Sequence, residues 1–320
     1  LDSQIGELET QLNDMVGGFA SVLSLEGETA ILDATLQYRL AASDLAIDAT
    51  GVLIAFEAQF GAASYGPCVP PSGAFVPSAH DSPALTGVLP GTSAPYHVAI
   101  LVSKDLINEA LYAAWQAGVL CVNLAELSPI PLDTSTLMGQ DIPEVLASVW
   151  DEPKELDIRL SAATPPVAIF SGGPRIEAEL AADVYAMELD RLSRHWGNGL
   201  QAQIGIGADI DGGMLIIDVG FDLDTDLGIS VTYNEWLPSA IPEQFAANFP
   251  GLIAAGLSTQ GLDLEAGLVP PFAMPGFNGL TLTDLDLRVV GDEEDYLGAF
   301  GWIDATQVTA FELGTIELNG

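Results

Sequence analysis

Positive charge is scarce in this sequence, and the scarcity excludes several kinds of partner. Of the 320 residues, 45 are Asp or Glu and 8 are Lys or Arg, which gives a formal net charge of −37 at pH 7. A surface this acidic repels the phosphate backbone of nucleic acids and opposes binding to anionic lipid headgroups. Solubility or adaptation to a salty medium would explain the same acidity. We expect no nucleic-acid partner.

Long apolar runs are also missing. No uninterrupted apolar stretch reaches the roughly 18 residues that a membrane-spanning helix needs, so we expect a soluble or peripheral protein. Hydrophobic residues nevertheless make up 49% of the sequence, and the mean hydropathy is +0.34. This excess leaves apolar surface that could serve a ligand. The sequence opens on Leu1 without the basic and apolar segments of an export signal, so we expect any such signal to have been removed or to lie outside it.

Cysteine is limited to two residues, Cys68 and Cys121. Their spacing matches no metal-binding or redox motif. In an exported protein a single disulfide between them is plausible, because oxidising compartments preserve such bonds. Two free, buried thiols remain the alternative.

Motifs of catalysis and cofactor binding are absent. His80, His97 and His195 are scattered, without Cys, Asp or Glu at metal-ligand spacing, and no Gly-x-Ser-x-Gly elbow is present. No glycine-rich phosphate loop or dinucleotide fingerprint follows a strand. We expect no enzyme activity, no cofactor and no metal. A Ser, His and acid brought together only by folding would leave no such motif in the sequence.

Two acidic segments have some features of cation-binding sites. Asp222, Asp224 and Asp226 resemble the start of a calcium loop, but Leu227 and Tyr233 stand where that loop needs Gly and Glu. The run at 292–295, Asp-Glu-Glu-Asp, is expected to be a solvated turn. Neither segment predicts bound calcium.

A strand followed directly by a helix is the best-marked feature of the chain. The apolar run from His97 to Ser103 predicts a strand, and the segment 104–118 predicts an amphipathic helix. Ser103 is expected to cap the helix, Asp105 suits its N-terminal dipole, and Gly118 provides a left-handed stop. The apolar face of this helix comprises Leu106, Ile107, Ala110, Leu111, Ala114 and Trp115.

The remainder of the chain predicts an α+β fold with an antiparallel meander. Helical periodicity marks 1–25 and 241–257, the latter with Ser239 as a candidate cap, Pro242 in the first turn and a bend at Pro250. Alternation or turn signals predict the strands. The predicted strands lie at 32–40, 45–56, 156–170, 175–190, 201–213, 214–221, 279–291, 296–303 and 307–318.

The order of these segments resembles that of a known family. The strand and helix ending in Trp115-Gln-Ala-Gly-Val-Leu120 are followed by a helical Ile-Pro-Glu-Val segment at 142–150, by a strand segment broken by Thr-Pro-Pro at 164–166, and by the strand 175–190. This order is similar to that of the bactericidal/permeability-increasing and lipopolysaccharide-binding protein family, which includes cholesteryl ester and phospholipid transfer proteins. The resemblance is strongest over 79–304.

The resemblance implies a tubular architecture. A highly curved antiparallel sheet would wrap around long helices, with the second barrel nearly complete and the first only partial. Residues 1–60 would close the first barrel, 61–96 would form a loop-rich linker, and 97–320 would form the C-terminal barrel.

The resemblance also implies a function, which is non-enzymatic binding or transport of a phospholipid, sterol or fatty acid. The acidic surface departs from relatives that recognise lipopolysaccharide with basic tips, so we do not expect that activity. Trp115 and Phe249 are expected to share one apolar interior. The expected lipid-binding residues are Leu106, Ile107, Leu111, Trp115, Phe245, Phe249, Ile253, Leu257, Phe272 and Met274.

An alternative keeps the fold with a filled core. The protein would then be a structural or interaction subunit of a cell-envelope complex, with a partner completing an exposed sheet edge. Either interpretation implies a periplasmic, outer-envelope or extracellular location.

Overall fold

The computed structural model describes most of the chain between Ser24 and Asp304. The described residues are 24–31, 34–48, 51–78, 81–127, 132–134, 150, 153–211, 214–223, 225–235, 237–259, 272–273 and 281–304. The predicted helices at 1–25 and 141–150, the strand 307–318, and His80, Asp224 and Met274 lie wholly or almost wholly outside these ranges.

The fold is α+β, and every strand pairing is antiparallel, as the sequence predicted. Three sheets and three helices make up the described residues, in which no sheet closes on itself. The helices are α1 (Lys104–Gln116), α2 (Leu124–Leu127) and α3 (Ala240–Thr259). The strands are β1 (Ser24–Ile31), β2 (Ala34–Asp48), β3 (Gly51–Ala62), β4 (Val98–Ser103), β5 (Val122–Asn123), β6 (Leu156–Ser161), β7 (Val167–Ile169), β8 (Arg175–Glu188), β9 (Arg191–Asp211), β10 (Met214–Gly220), β11 (Leu227–Asn234), β12 (Phe272–Ala273), β13 (Thr281–Val290) and β14 (Tyr296–Asp304).

The first sheet is a meander in the order β1-β2-β3. Its second hairpin divides the predicted strand 45–56, because β2 ends at Asp48 and β3 begins at Gly51, and these two residues pair across the reversal. Asp and Gly are favoured where a chain reverses tightly. The apolar pattern runs through both arms of this hairpin, so alternation alone did not reveal the turn.

Helix α1 has the predicted limits. The Ser103 hydroxyl accepts a hydrogen bond from the Leu106 N–H at 3.1 Å, Asp105 lies in the first turn, and Gly118 follows the helix with a φ of 84°. An L-residue with a side chain rarely adopts that φ, so glycine ends the helix here without strain.

The second sheet is the central one and is built around β9. Its strands follow the order β12-β10-β9-β8-β6-β5, with β11 also paired to β9 and β7 to β8. Strand β8 borders β9 from 191 to 205, whereas the other edge of β9 is shared by β11 and β10. The predicted hairpin between 201 and 221 is confirmed by the pairing of Met214 with Asp211, but its first strand begins earlier than predicted, at Arg191.

The third sheet, in the order β13-β14-β4, joins the last described strands to the strand that precedes α1. The turn between β13 and β14 differs from its prediction in one residue. Residues 292–294 are exposed, but Asp295 is only 4% exposed. Its carbonyl accepts a hydrogen bond from the Lys104 N–H at 2.7 Å, which draws the end of the turn against the start of α1.

The largest apolar cluster lies between α3 and the central sheet. Helix α3 supplies Ile241, Phe245 and Phe249, and the sheet supplies side chains from β6, β8 and β9. The buried sheet residues of this cluster are Leu156, Ile158, Ala182, Val184, Ala186, Trp196 and Leu200. Smaller clusters lie between α1 and the first sheet, and between the third sheet and Leu89.

Candidate functional site

Helix α1 connects the first sheet to the central sheet. Its buried Ala113 and Ala117 pack with Ala34 and Leu36 of β2. On the central-sheet side, Asn108 accepts a hydrogen bond from the Ala168 N–H at 2.7 Å. Helix α1 is therefore held by protein contacts on both of these sides.

Trp115, a predicted ligand contact, also has protein partners. Its indole N–H donates to the Ala162 carbonyl at 2.8 Å, its ring lies 5.4 Å from that of Tyr112, and the residue is 4% exposed. Leu106, Ile107 and Leu111 are half-buried.

A disulfide and a close glycine contact hold the predicted linker against α1. Cys68 and Cys121 are bonded, with their Cα atoms 5.6 Å apart, so of the two alternatives left open by the sequence the disulfide is the one present. The Gly66 N–H donates to the Gln116 carbonyl at 2.8 Å, and a Cβ on Gly66 would lie 2.3 Å from the Gly118 Cα. Only residues without a side chain permit this approach.

Helix α3 brings three aromatic rings together over the central sheet. The Trp196 ring meets Phe245 edge-on at 5.3 Å, and Phe245 lies 5.2 Å from Phe249. These are favourable separations for aromatic pairs. Trp196 and Phe249 are 2% and 0% exposed, so this end of the interior is closed to solvent.

Trp115 and Phe249, which were predicted to share one apolar interior, are not brought together in one cluster of the described residues. Among the described residues, Phe249 belongs to the cluster between α3 and the central sheet, and Trp115 is not a member of that cluster. Trp115 instead hydrogen-bonds to Ala162 beside the central sheet, while Ala113 and Ala117 pack against the β2–β3 hairpin, and helical periodicity does not separate these two sides. Phe245 and Phe249 do lie together.

The other predicted ligand contacts are placed only by their backbone. Ile253 and Leu257 belong to the second half of α3, and Phe272 of β12 pairs with Leu215 of β10. Met274 lies outside the described residues.

The inner face of the central sheet extends beyond the closed cluster. Strand β9 has 21 residues, or about 70 Å when extended, whereas the 20 residues of α3 span about 30 Å. Past the buried Leu200, the inward residues of the two strands remain apolar: Ala202 is still buried, whereas Ile204 of β9 and Ile176, Ala178 and Leu180 of β8 are half-buried. The register places these residues side by side in the pairs Leu180–Leu200, Ala178–Ala202 and Ile176–Ile204. An apolar strip therefore continues along β8 and β9 past the buried cluster.

Sequence reasoning missed a polar group inside this apolar cluster. Asn198 is 0% exposed and lies between Trp196 and Leu200 on the inner face of β9. Neither polar atom of the Asn198 side chain has a hydrogen-bond partner in the protein, and neither has the Trp196 indole nitrogen. The signal in the sequence was the segment Trp-Gly-Asn-Gly-Leu at 196–200, in which Asn occupies an inward position of an alternating strand.

A second polar group lies at the β8–β9 irregularity, beside Asn198. His195 is the residue skipped in the register, and its ring packs edge-on against Trp150 at 5.3 Å. Burial lowers the pKa of His195 below its ordinary 6.5, and the Glu188 carboxylate, 4.0 Å from Nε2, opposes that shift by a smaller amount. Glu188 itself accepts a hydrogen bond from the Trp150 indole N–H at 2.7 Å.

On α1, burial raises the pKa of the Glu109 carboxyl above 4.5. The Phe60 N–H donates to its Oε1 at 3.3 Å and lowers that pKa by a smaller amount. Glu109 thus joins α1 to β3 and faces no other acidic group that would suggest a catalytic pair in the described contacts.

The few arginines are mostly neutralised by carboxylates. Five of them make ion pairs, at nitrogen–oxygen distances of 2.5 to 3.1 Å. The pairs are Arg39–Glu26, Arg159–Asp157, Arg175–Glu177, Arg194–Asp183 and Arg288–Asp286. The described part of the chain also contains no group of three or more His, Cys, Asp or Glu placed to hold a metal ion. Asp226 instead accepts a hydrogen bond from the Asp222 N–H at 2.9 Å within its own turn.

No described helix combines the length and apolar composition needed to cross a membrane.

Comparisons with known proteins find similarity among solved structures. No protein-family model matches the chain, and no curated protein matches it. Among solved structures, the chain is similar to a crystal structure of lipopolysaccharide binding protein, with a TM-score of 0.44 and 14% sequence identity. The match covers 88% of this chain and 56% of the other, so the chain spans little more than half the length of that protein.

Proposed function

We propose that this chain is a non-enzymatic lipid-binding or lipid-transport protein whose ligand lies along the inner face of the central sheet, beside helix α3. The observation that carries the proposal is the half-buried apolar strip that continues past the closed aromatic cluster. Contiguous apolar surface that stays partly accessible to solvent often marks a binding site. The order of elements that resembles the lipid-transfer family favours the same conclusion.

The chemistry of such a site requires no catalyst. An acyl chain or sterol ring system is held by water exclusion and dispersion, at about 0.8 kcal/mol for each buried CH₂ group. Strands β8 and β9 provide Ile176, Leu180 and Ile204 as contact residues, and Phe249 closes the end of the strip. In the full arrangement the sheet would curve around the helices as a nearly complete second barrel, preceded by part of a first one.

The disulfide supports a location outside a reducing cytoplasm, that is, a secreted, periplasmic or outer-envelope protein. Disulfides such as Cys68–Cys121 persist chiefly in oxidising compartments. The net charge of −37 favours lipids without an anionic headgroup.

The proposal is tested by identifying what copurifies with the protein. We expect solvent extraction of the native protein from a lipid-rich source, followed by mass spectrometry, to recover phospholipid, sterol or fatty acid in a fixed molar ratio. A parallel preparation of Ile204→Asp, which places a charge on the strip, should carry less lipid. Lipid-free wild-type protein from such a source would contradict the proposal.

The second candidate function is an interaction subunit of an envelope complex. It is favoured by β4, which pairs only with β14 among the described strands and exposes 49% of Ile100. An unpaired strand edge is a site at which a partner strand can add. Light scattering of the untagged native protein separates the candidates, because a monomer that carries lipid would argue against the subunit and a stable lipid-free complex would argue for it.

A further inference from the structure

The geometry points to a specific ligand class for the proposed site: we infer that Asn198 and Trp196 recognise a hydroxyl group on an otherwise apolar, uncharged lipid. This inference rests on the proposed lipid-binding function. It concerns which lipid is preferred, not whether one binds.

The buried polar atoms of Asn198 and Trp196 have no hydrogen-bond partner in the protein, which is energetically unfavourable. A buried amide or indole N–H without a partner destabilises a protein, and nearly all such groups in native structures are hydrogen-bonded to protein, water or ligand. Asn198 is 0% exposed and Trp196 is 2% exposed, and their side-chain nitrogens and the Asn198 oxygen have no protein partner. Both lie on one face of β9 next to Leu200, where the half-buried strip begins, so the hydroxyl end of a lipid on the strip would enter the cluster beside them.

A hydroxyl group can form hydrogen bonds with the donors and with the acceptor among these atoms. The Asn198 side chain offers an acceptor, Oδ1, and a donor, Nδ2, whereas the Trp196 indole is a donor only. A hydroxyl both donates and accepts, so it can satisfy both kinds of atom. A carbonyl would satisfy the donors and leave Oδ1 without a partner.

An ionised lipid group does not suit this position. The two recognising side chains are neutral, and the surrounding cluster consists of apolar residues from α3, β6, β8 and β9. An ionised group placed there would lose its hydration without gaining an opposite charge, which is far more costly than burying a hydroxyl. A long-chain alcohol, a sterol or a diacylglycerol meets these requirements, whereas an ionised fatty acid does not.

The inference is tested with two probes that differ only in the hydroxyl. Tritiated octadecanol and tritiated octadecane are offered to the delipidated full chain from neutral phosphatidylcholine vesicles, and partition into the protein is measured. We expect the wild-type protein to prefer the alcohol by about tenfold, beyond the preference set by the vesicles alone, because one satisfied buried polar group has an effect of that order.

Asn198→Leu, which has nearly the same shape, should lose most of this preference while still binding the hydrocarbon. Trp196→Phe keeps an aromatic ring, removes only the indole N–H and should reduce the preference partially. It serves as the second variant if Asn198→Leu fails to fold. Gln203→Leu makes a similar polar-to-apolar change at an exposed position of β9 and should leave the preference unchanged.

The outcomes separate the two proposals. Equal binding of both probes by the wild-type protein, or a preference that survives in both Asn198→Leu and Trp196→Phe, would overturn the inference and leave lipid binding intact. If neither probe binds, the proposed function itself fails, and the inference fails with it.

Discussion

At the residue scale, the notable side chains are polar groups buried among apolar ones. His195, Trp196 and Asn198 are adjacent on β9 near the irregularity in its pairing with β8. Gly197 lies among them because a Cβ there would come within 2.7 Å of both the Arg194 guanidinium and the Asp183 carboxylate. The outer face of this segment is therefore filled by an ion pair, while the inner face holds Trp196 and Asn198.

His195 makes stability depend on pH. Its pKa is lowered in the folded protein, so below its ordinary 6.5 the unfolded chain binds the proton more readily than the folded one. The free energy of unfolding should therefore decrease as the pH falls through 6.5 towards the lower folded value. Urea unfolding of wild type and His195→Gln at pH 7.5, 6.5 and 5.5 measures the effect.

The difference between the two proteins isolates His195 from other titrating groups. Glu109 acts in the opposite direction, because its raised pKa makes the folded state bind its proton more readily as the pH falls. That contribution is common to both proteins and cancels. Parallel pH profiles for the two proteins would contradict the burial of an uncharged imidazole.

At the element scale, the two long helices differ in how far local sequence determines them. The limits of α1 could be predicted because its cap and its stop are Ser103 and Gly118, residues at its own ends. Its packing partners could not, since Ala34 and Leu36 lie about 80 positions before Ala113 and Ala117 and share no periodic signal with the helix.

The same limit explains which part of the site could be predicted. Phe245 and Phe249 are four residues apart on α3, so helical spacing was enough to place them on one face. Asn198 was missed because the sequence does not show where the pairing of β9 with β8 is irregular. Without that position, alternation does not tell which face of the strand carries Asn198. Only the pairing with the buried Ala182 puts its side chain inside.

The cap of α1 provides a test at this scale. Ser103→Ala removes the hydroxyl that accepts the Leu106 N–H, and we expect it to lower the free energy of unfolding by about 1 kcal/mol. Ser82→Ala, at an exposed loop position, is the control and should change stability by less than about 0.5 kcal/mol. Equal effects in denaturant titrations would show that the cap does not stabilise the helix.

At the scale of the whole molecule, the disulfide and the strongly negative net charge affect the stability of the folded chain. The disulfide joins residues 53 positions apart and fastens the segment after β3 to the end of α1. The acidic side chains repel one another. The five ion pairs offset little of this repulsion because they lie at or near the surface.

Removing the disulfide should destabilise the protein substantially. A closed loop of this length restricts the unfolded chain enough to contribute about 4 kcal/mol in the chain-entropy description, within a usual range of about 2–4 kcal/mol. We expect the double variant Cys68→Ala, Cys121→Ala to lose stability in this range. Reductant should destabilise the wild type to a similar extent and leave the variant unchanged, and a reductant effect on both proteins would contradict this assignment.

The most direct test of the ligand-binding interior is thermal unfolding of Phe249→Ala in lipid-loaded and delipidated forms. Emptying a packed core in this way costs about 3–5 kcal/mol, but a bound lipid that occupies the space and binds only the folded state recovers part of that loss. Leu36→Ala, in the separate cluster beside α1, is the control and should lose the same stability in both forms. We predict that lipid reduces the loss for Phe249→Ala alone. A large loss for Phe249→Ala that is identical with and without lipid would contradict a ligand site beside α3.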